Sequence, residues 1–448
     1  MNADLFTALA RPVAHDALVV LTLDAAAAPL EALLSAPIAG ERLLWDSGEA
    51  AWAFAGVGQA CRLVASGPRR TASLMEQAQG VFHRMVERSE LHADLPRPRF
   101  FGGLAFHPQA LHDEPWSAFG DASFVVPRWL YGRRGKRAFL RLALRADELG
   151  ATTRVNDELS HINAALWSTK RHCGVRAMDI TEMPRDTWDH LVTDALAAIR
   201  AGTFEKVVLA RRSALRSKVA FDLAQGLTRL RALEPSCVRF AFEEGRTAFF
   251  GATPERLVAK HGVLLETEAL AGSIARSDDD DDGARECLLA SDKDRREHAF
   301  VLDGIRSALE SMCRHLEVAN EPVVRTLRNV HHLATPVRGH LCRPGHILEL
   351  VDALHPTPAV AGLPRSAACA WIVAKEPCER GWYAGPVGWF DEGGDGAFVV
   401  ALRSAVVRGL EAWVYAGAGI VEGSNAGHEY AETSLKQATM LSALGGLP

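Results

Sequence analysis

The 448 residues are 48% hydrophobic and 23% charged, the balance of a folded globular protein with room for one large or two ordinary domains. A net charge of −5 and an isoelectric point near 6.4 leave no basic footprint for nucleic acid, and no apolar run is long enough to span a bilayer. Eight cysteines, at 61, 173, 237, 287, 313, 342, 369 and 378, form no CxxC pair, which points to reduced cytosolic thiols rather than a disulfide framework or a zinc site.

The apolar run 17–23 lies between Asp16 and Asp24 and reads as a strand, not a secretory signal. Residues 51–55, 100–106 and 138–144 are further strand candidates; 71–91 and 157–167 are helix candidates. The glycine-broken strand at 101–106 is explained by close backbone packing as well as by function. Residues 168–184 read as a connection between an N-terminal portion, 1–175, and a second portion, 185–448.

A helix is expected from Arg185, capped by Asp186 or Thr187, with Leu191, Ala195 and Ile199 on one face and Gly202 ending it. Lys206 then stands at the mouth of a strand over 207–210. Such a lysine is ordinarily solvated; if buried, desolvation lowers its pKa and makes it a usable base. Residues 249–255 end a strand in a turn where Pro254 fixes Glu255, either a surface glutamate or a general acid. The strand 266–273 ends in small residues whose amides could bind a carboxylate. The aspartate run 278–282 reads as a solvated loop, because five adjacent side chains cannot converge on one ion.

A long helix is expected over 292–316. On it Glu297 continues the stripe of Val301, Ile305, Ala308 and Met312, so a carboxylate on that face needs a cation or metal. Paired with Glu432 it would make an oxygen-rich site suited to Mg²⁺. His331 and His332 sit on an extended run and must point to opposite faces, one packed and one able to line a pocket. A Pro-rich loop, 355–362, precedes a helix at 366–374. Finally, a strand over 397–402 leads into Arg403, and a strand over 413–421 carries Gly417 and Gly419. A helix over 428–441 places Glu429, Glu432 and Lys436 at i, i+3 and i+7 on one face. From spacing alone, a solvated face laced with ion pairs is the simpler account of that helix. With a strand-borne arginine and the glycine-lined backbone, the same groups suit a small, metal-bound, anionic ligand.

Taken together, the ordered motifs KVVLAR, GATPE, ALAGS, DKDRREH, HHLATPV, HPTPAVAG, RGWYAGPVGW, VALRSA, YAGAGIV and EYAETSLK resemble the chorismate-utilising enzymes. The likeness covers about 185–445, and GGLAFHP and WSAFGDASFVVP in the first half also resemble isochorismate synthases. Sequence alone supports only a mixed α/β chain with many strands. The resemblance implies an α+β unit of two stacked, mainly antiparallel sheets flanked by helices, like anthranilate synthase component I. It implies a monomer, acting in the cytoplasm on chorismate. It also implies roles: Lys206 as the base that activates water, with a depressed pKa, and Glu255 as the acid that protonates the departing C4 hydroxyl. Glu297 and Glu432 would hold Mg²⁺, with Glu429 nearby, and the metal would hold the ring carboxylate. Tyr383 and Arg403, helped by the backbone of Gly417, would grip the enolpyruvyl carboxylate. Lys436, Gly272 and Ser273 would make further carboxylate contacts, and His332 would lie near the ring.

Three departures narrow the choice of member. Ala271 stands where aminodeoxychorismate synthases carry a nucleophilic lysine, so water is the implied nucleophile. The chain carries no recognisable amidotransferase domain, which anthranilate synthases draw on for ammonia. Ala359 stands where salicylate synthases tend to have threonine. The expectation is Mg²⁺-dependent isomerisation of chorismate to isochorismate. The alternatives are a lyase that continues to salicylate and pyruvate, and a non-catalytic chorismate-binding homologue. Whether the product serves siderophore, salicylate or menaquinone synthesis stays open.

Overall fold

The computed structural model describes residues 12–48, 51–88, 95–108, 114–167, 178–276 and 280–446. Cys173, Asp278, Asp279 and most of the expected connection at 168–184 lie outside them. The strands join in one continuous hydrogen-bonded network. It is antiparallel except where Leu18–Asp24 runs parallel to Met85–Glu87. The network divides at the long strand Ala122–Arg134, whose first residues pair with Arg99–Leu104 and whose last pair with Arg137–Arg145.

One arm continues from Arg99–Leu104 through Pro386–Asp391, Gly396–Val400 and Arg256–His261 to Leu264–Ala275 and Val330–Leu341. The other runs from Ala53–Ala65 through Arg42–Asp46, Val238–Glu244, Thr247–Thr253 and Ser404–Arg408 to Glu411–Val421 and Lys206–Ser217. These arms are the two expected sheets, joined rather than separate. Their apolar faces share a core in which Phe54 meets Phe101 at 5.4 Å and Phe242 and Phe249 meet Trp382 at 5.8 and 6.4 Å. A second core covers the other face of the Lys206–Ser217 arm with the helices Leu30–Leu34, Thr152–Leu166, Leu223–Leu233 and Ala426–Leu444. Burying Met440 or Leu444 there contributes about 1.5–3 kcal/mol each.

Several boundaries differ from the sequence expectations, and strand pairing explains most of them. The helix expected over 292–316 is Asp292–Leu309, because Cys313–Val318 pairs along the edge of Val330–Leu341. Met312 therefore lies outside the helix. The helix expected over 71–91 is Arg70–His83, and Met85–Glu87 joins the first strand instead. The strand expected at 51–55 is Ala53–Ala65, extended by its pairing with Ala122–Arg134. The aspartate run is not a loop throughout: Asp280 caps the helix Asp281–Ala290 through the Gly283 N–H, and Asp281 binds Arg276 and His331. The helix at Arg185 has Pro184 in the capping position, so Asp186 and Thr187 lie inside its first turn. Among the described residues, no helix is long and apolar enough to cross a membrane.

Candidate active site

The far ends of the two arms and the helices Asp292–Leu309 and Ala426–Leu444 enclose a cleft of about 790 Å³, counted to its open mouth. Among the described residues, every one that lines the cleft falls between 208 and 436. Eleven of the sequence-predicted residues line it: Glu255, Gly272, Ser273, Glu297, His332, Ala359, Tyr383, Arg403, Gly417, Glu432 and Lys436. Lys206 and Glu429 are not among the lining residues.

Lys206 opens the strand Lys206–Ser217 and is 1% exposed. Its Nζ donates to Glu297 Oε1 at 2.8 Å. Burial pushes the Glu297 carboxyl up, but Lys206 at contact, with Lys436 and Lys293, more than offsets it, and the net shift is downward. The partner strand passes over this pair at Gly419. A Cβ there would lie 2.8 Å from Glu297 Oε1 and 3.0 Å from Lys206 Cε, so only glycine leaves the pair in place. Gly419→Ala should lower turnover by roughly tenfold or more by displacing these groups. Steady-state rates alongside circular dichroism check this; an unaffected rate would mean the contact is irrelevant.

Glu255 follows Thr247–Thr253 and Pro254 and is buried. Burial, then the nearby Glu268 charge, pushes it up to about 8 against the opposing pull of Lys206 and Lys436. A carboxyl so placed carries its proton at neutral pH and can donate it.

The strand Leu264–Ala275 bulges between Ala271 and Ser273, with Gly272 at φ +77°. The bulge turns the Ser273 N–H to Asp294 Oδ1, 3.2 Å away, and sets Ser273 Oγ 2.9 Å from His332 Nδ1. Burial first, then Arg403 and Lys436, lower the His332 pKa to about 3, so the ring is neutral. His331 points the other way, to Thr326 and Asp281, as the strand alternation requires.

Arg403 departs from expectation. It is not on a strand but on the bend between Gly396–Val400 and Ser404–Arg408, at φ +46°. The bend aims a buried guanidinium into the cleft, and burial lowers its pKa. Tyr383 stacks on Tyr415 at 5.1 Å, and Tyr415 accepts from Trp116 Nε1 at 2.9 Å. Lys436 Nζ donates to Gly417 O at 2.9 Å and to Glu432 Oε1 at 2.5 Å. The Gly417 carbonyl thus serves Lys436.

Each helix-borne carboxylate has a lysine: Glu297 with Lys206, Glu432 with Lys436, and Glu429 with Lys293 at 3.6 Å. Burial, then Glu432, push Glu429 up to about 7. Among the described residues, no three acidic, histidine or cysteine side chains converge as a ready-made metal cage. The donor set nevertheless fits a hard divalent cation, because it is all carboxylate oxygen and its mutual repulsion is what such an ion would relieve.

The sequence reading missed Arg380 as a site residue. Its guanidinium holds Glu376 at 2.5 Å and donates to Val360 O at 2.8 Å and Val208 O at 2.7 Å. It thereby ties the loop bearing Ala359 to the strand bearing Lys206. Its position at the head of RGWYAGPVGW was the only signal. Asp294, which holds the Ser273 amide, was signalled only by its place in DKDRREH.

Residues 6–445 match the family described as chorismate binding enzyme. The chain belongs to this family. Among curated relatives, a salicylate biosynthesis isochorismate synthase from Pseudomonas aeruginosa is 39% identical over 90% of this chain and 86% of its own. The isochorismate synthase MenF of Bacillus subtilis is 32% identical over 91% and 88%. Among solved structures, the menaquinone-specific isochorismate synthase MenF from Escherichia coli superposes with a TM-score of 0.82 at 29% identity, covering 99% of this chain and 98% of that one. An anthranilate synthase component I from Streptococcus pneumoniae shares the fold, with a TM-score of 0.72 at 22% identity over 88% and 93%. In this chorismate binding enzyme, the cleft is thus where a chorismate-derived ligand is to be sought.

Proposed function

We propose that this chorismate binding enzyme is an isochorismate synthase. One observation carries the reading. A buried lysine, Lys206, bonds the cleft-lining Glu297, and a buried, protonated carboxyl, Glu255, lines the same cleft, whose wall offers methyl Ala271 in place of a nucleophile. The names of the relatives at 39% and 32% identity support it.

The reaction adds water oxygen at C2 of the ring, moves both ring double bonds one position along, and expels the C4 hydroxyl. In this assignment Lys206, acting as the neutral amine, takes the proton from the attacking water, and Glu255 gives its proton to the C4 oxygen, which leaves as water. Arg403 and Tyr383 hold the enolpyruvyl carboxylate, and the Ser273 and Gly272 bulge, with neutral His332, shapes the ring's surroundings. Glu297 and Glu432, with Glu429 close by, would hold Mg²⁺. Once bound, that ion supplies positive charge against the substrate's ring carboxylate. The fixed cationic groups neutralise a dianion without reorganising during the reaction.

Product analysis tests the reading. Pure protein with chorismate and Mg²⁺ should yield isochorismate without pyruvate, and EDTA should stop it. Salicylate with equal pyruvate would overturn the assignment in favour of the lyase. Glu432→Gln should raise the Mg²⁺ concentration needed for half-maximal rate by about tenfold or more, by loss of one charged ligand. An unchanged titration would remove Glu432 from the metal site.

A further inference from the structure

One ion pair meets the candidate acid without entering the cleft. Glu268 lies on Leu264–Ala275, and Arg325 on the short edge strand Val323–Thr326. The guanidinium is bidentate: Nη1 and Nη2 donate to Glu268 Oε1 and Oε2 at 2.7 and 2.6 Å. The same Nη1 donates to the carbonyl of Pro254 at 3.2 Å, the residue before Glu255. Glu268 Oε1 also accepts from the N–H of Arg256 at 3.4 Å, the residue after it. The pair therefore brackets Glu255 on both sides. Inside the bracket, the Glu255 N–H donates to Thr253 Oγ1 at 3.2 Å, and its carbonyl accepts from Val400 N–H at 3.0 Å. Neither Arg325 nor Glu268 lines the cleft.

A partly exposed pair of this kind usually contributes about 0–1 kcal/mol and nothing more. Here the Arg325 and Glu268 side chains are 37% and 11% exposed, but their backbone contacts fall on the two neighbours of one functional residue. We propose that Arg325 and Glu268 are positioning residues for Glu255, fixing its turn through the Pro254 carbonyl and the Arg256 N–H. This deepens the proposed function and rests on Glu255 being its acid.

The charged groups facing Glu255 are Glu268, which favours the protonated form, and Lys206 and Lys436, which oppose it; Tyr383 also lies close. Glu268→Gln keeps one oxygen for Arg325 Nη1 and Arg256 and removes the charge together with the acceptor of Nη2. The Glu255 titration should then fall by roughly one pH unit, and the alkaline limb of the rate profile should move down with it. Arg325→Met leaves the Glu268 carboxylate but removes the guanidinium and frees the turn. It should lower kcat by about tenfold with little change in KM for chorismate, and Arg325→Lys should recover part of the loss.

The deciding measurement does not need turnover. Infrared difference spectra against pH would follow the protonated carboxyl band of Glu255, identified by its loss in Glu255→Gln. A lower midpoint in Glu268→Gln than in the unaltered protein supports the inference. Equal midpoints, in a variant folded by circular dichroism, overturn it. A shifted band in a protein that makes no isochorismate would uphold the positioning role and sink the proposed function instead.

Discussion

Lys206→Ala should lower chorismate turnover by about 10²–10⁴, the usual contribution of a positioned base, while the protein still folds and takes up Mg²⁺. The residue is 1% exposed and its side chain bonds Glu297 at 2.8 Å. The substitution also strands a carboxylate. Stability should fall, though by less than the ~3–5 kcal/mol of a fully buried orphaned charge, because the Glu297 side chain is 21% exposed. Thermal melts, metal titration and steady-state kinetics separate these effects. Turnover near that of the unaltered protein would remove Lys206 from the mechanism.

Glu255→Gln should cost turnover on the same scale, yet improve stability in alkali. The carboxyl sits near 8 in the folded chain against an ordinary 4.5, first because it is buried and then because Glu268 faces it. Below the ordinary value both states hold the proton. As pH rises from there to about 8, the unfolded chain releases it and the folded chain does not. The stability this group contributes is therefore full in acid and is lost as pH climbs through the folded value. Glutamine carries no such dependence. The variant's melting temperature should exceed that of the unaltered protein above about pH 8 and converge with it near pH 4. A parallel pair of curves would mean that Glu255 titrates normally.

Much of the site was legible because its chemistry sits on recurring local patterns. Helical spacing put Glu432 and Lys436 on one face, and they are paired. Strand alternation sent His331 and His332 apart, and only His332 reaches the cleft. What escaped was set by long-range pairing. The helix bearing Glu297 stops at Leu309 because a distant strand claims Cys313–Val318. Arg403 looked strand-borne, but its left-handed backbone belongs to the bend that aims it. The lysine partner of Glu297 is 91 residues away, and Arg325 reaches Glu268 across 57 residues, distances at which local periodicity carries no information. The same limit hid Arg380, whose bonds to Val208 and Val360 exist only once both segments are folded beside it.

The most direct test of the central claim follows the oxygen. Chorismate incubated with the protein and Mg²⁺ in oxygen-18 water should give, at early times, isochorismate carrying one heavy oxygen at C2, located by mass spectrometry of fragments. That result requires water as nucleophile and loss of the original C4 hydroxyl, the steps assigned to Lys206 and Glu255. Isochorismate without the label would mean that the hydroxyl migrates within the substrate, and it would contradict the base-and-acid account of this cleft.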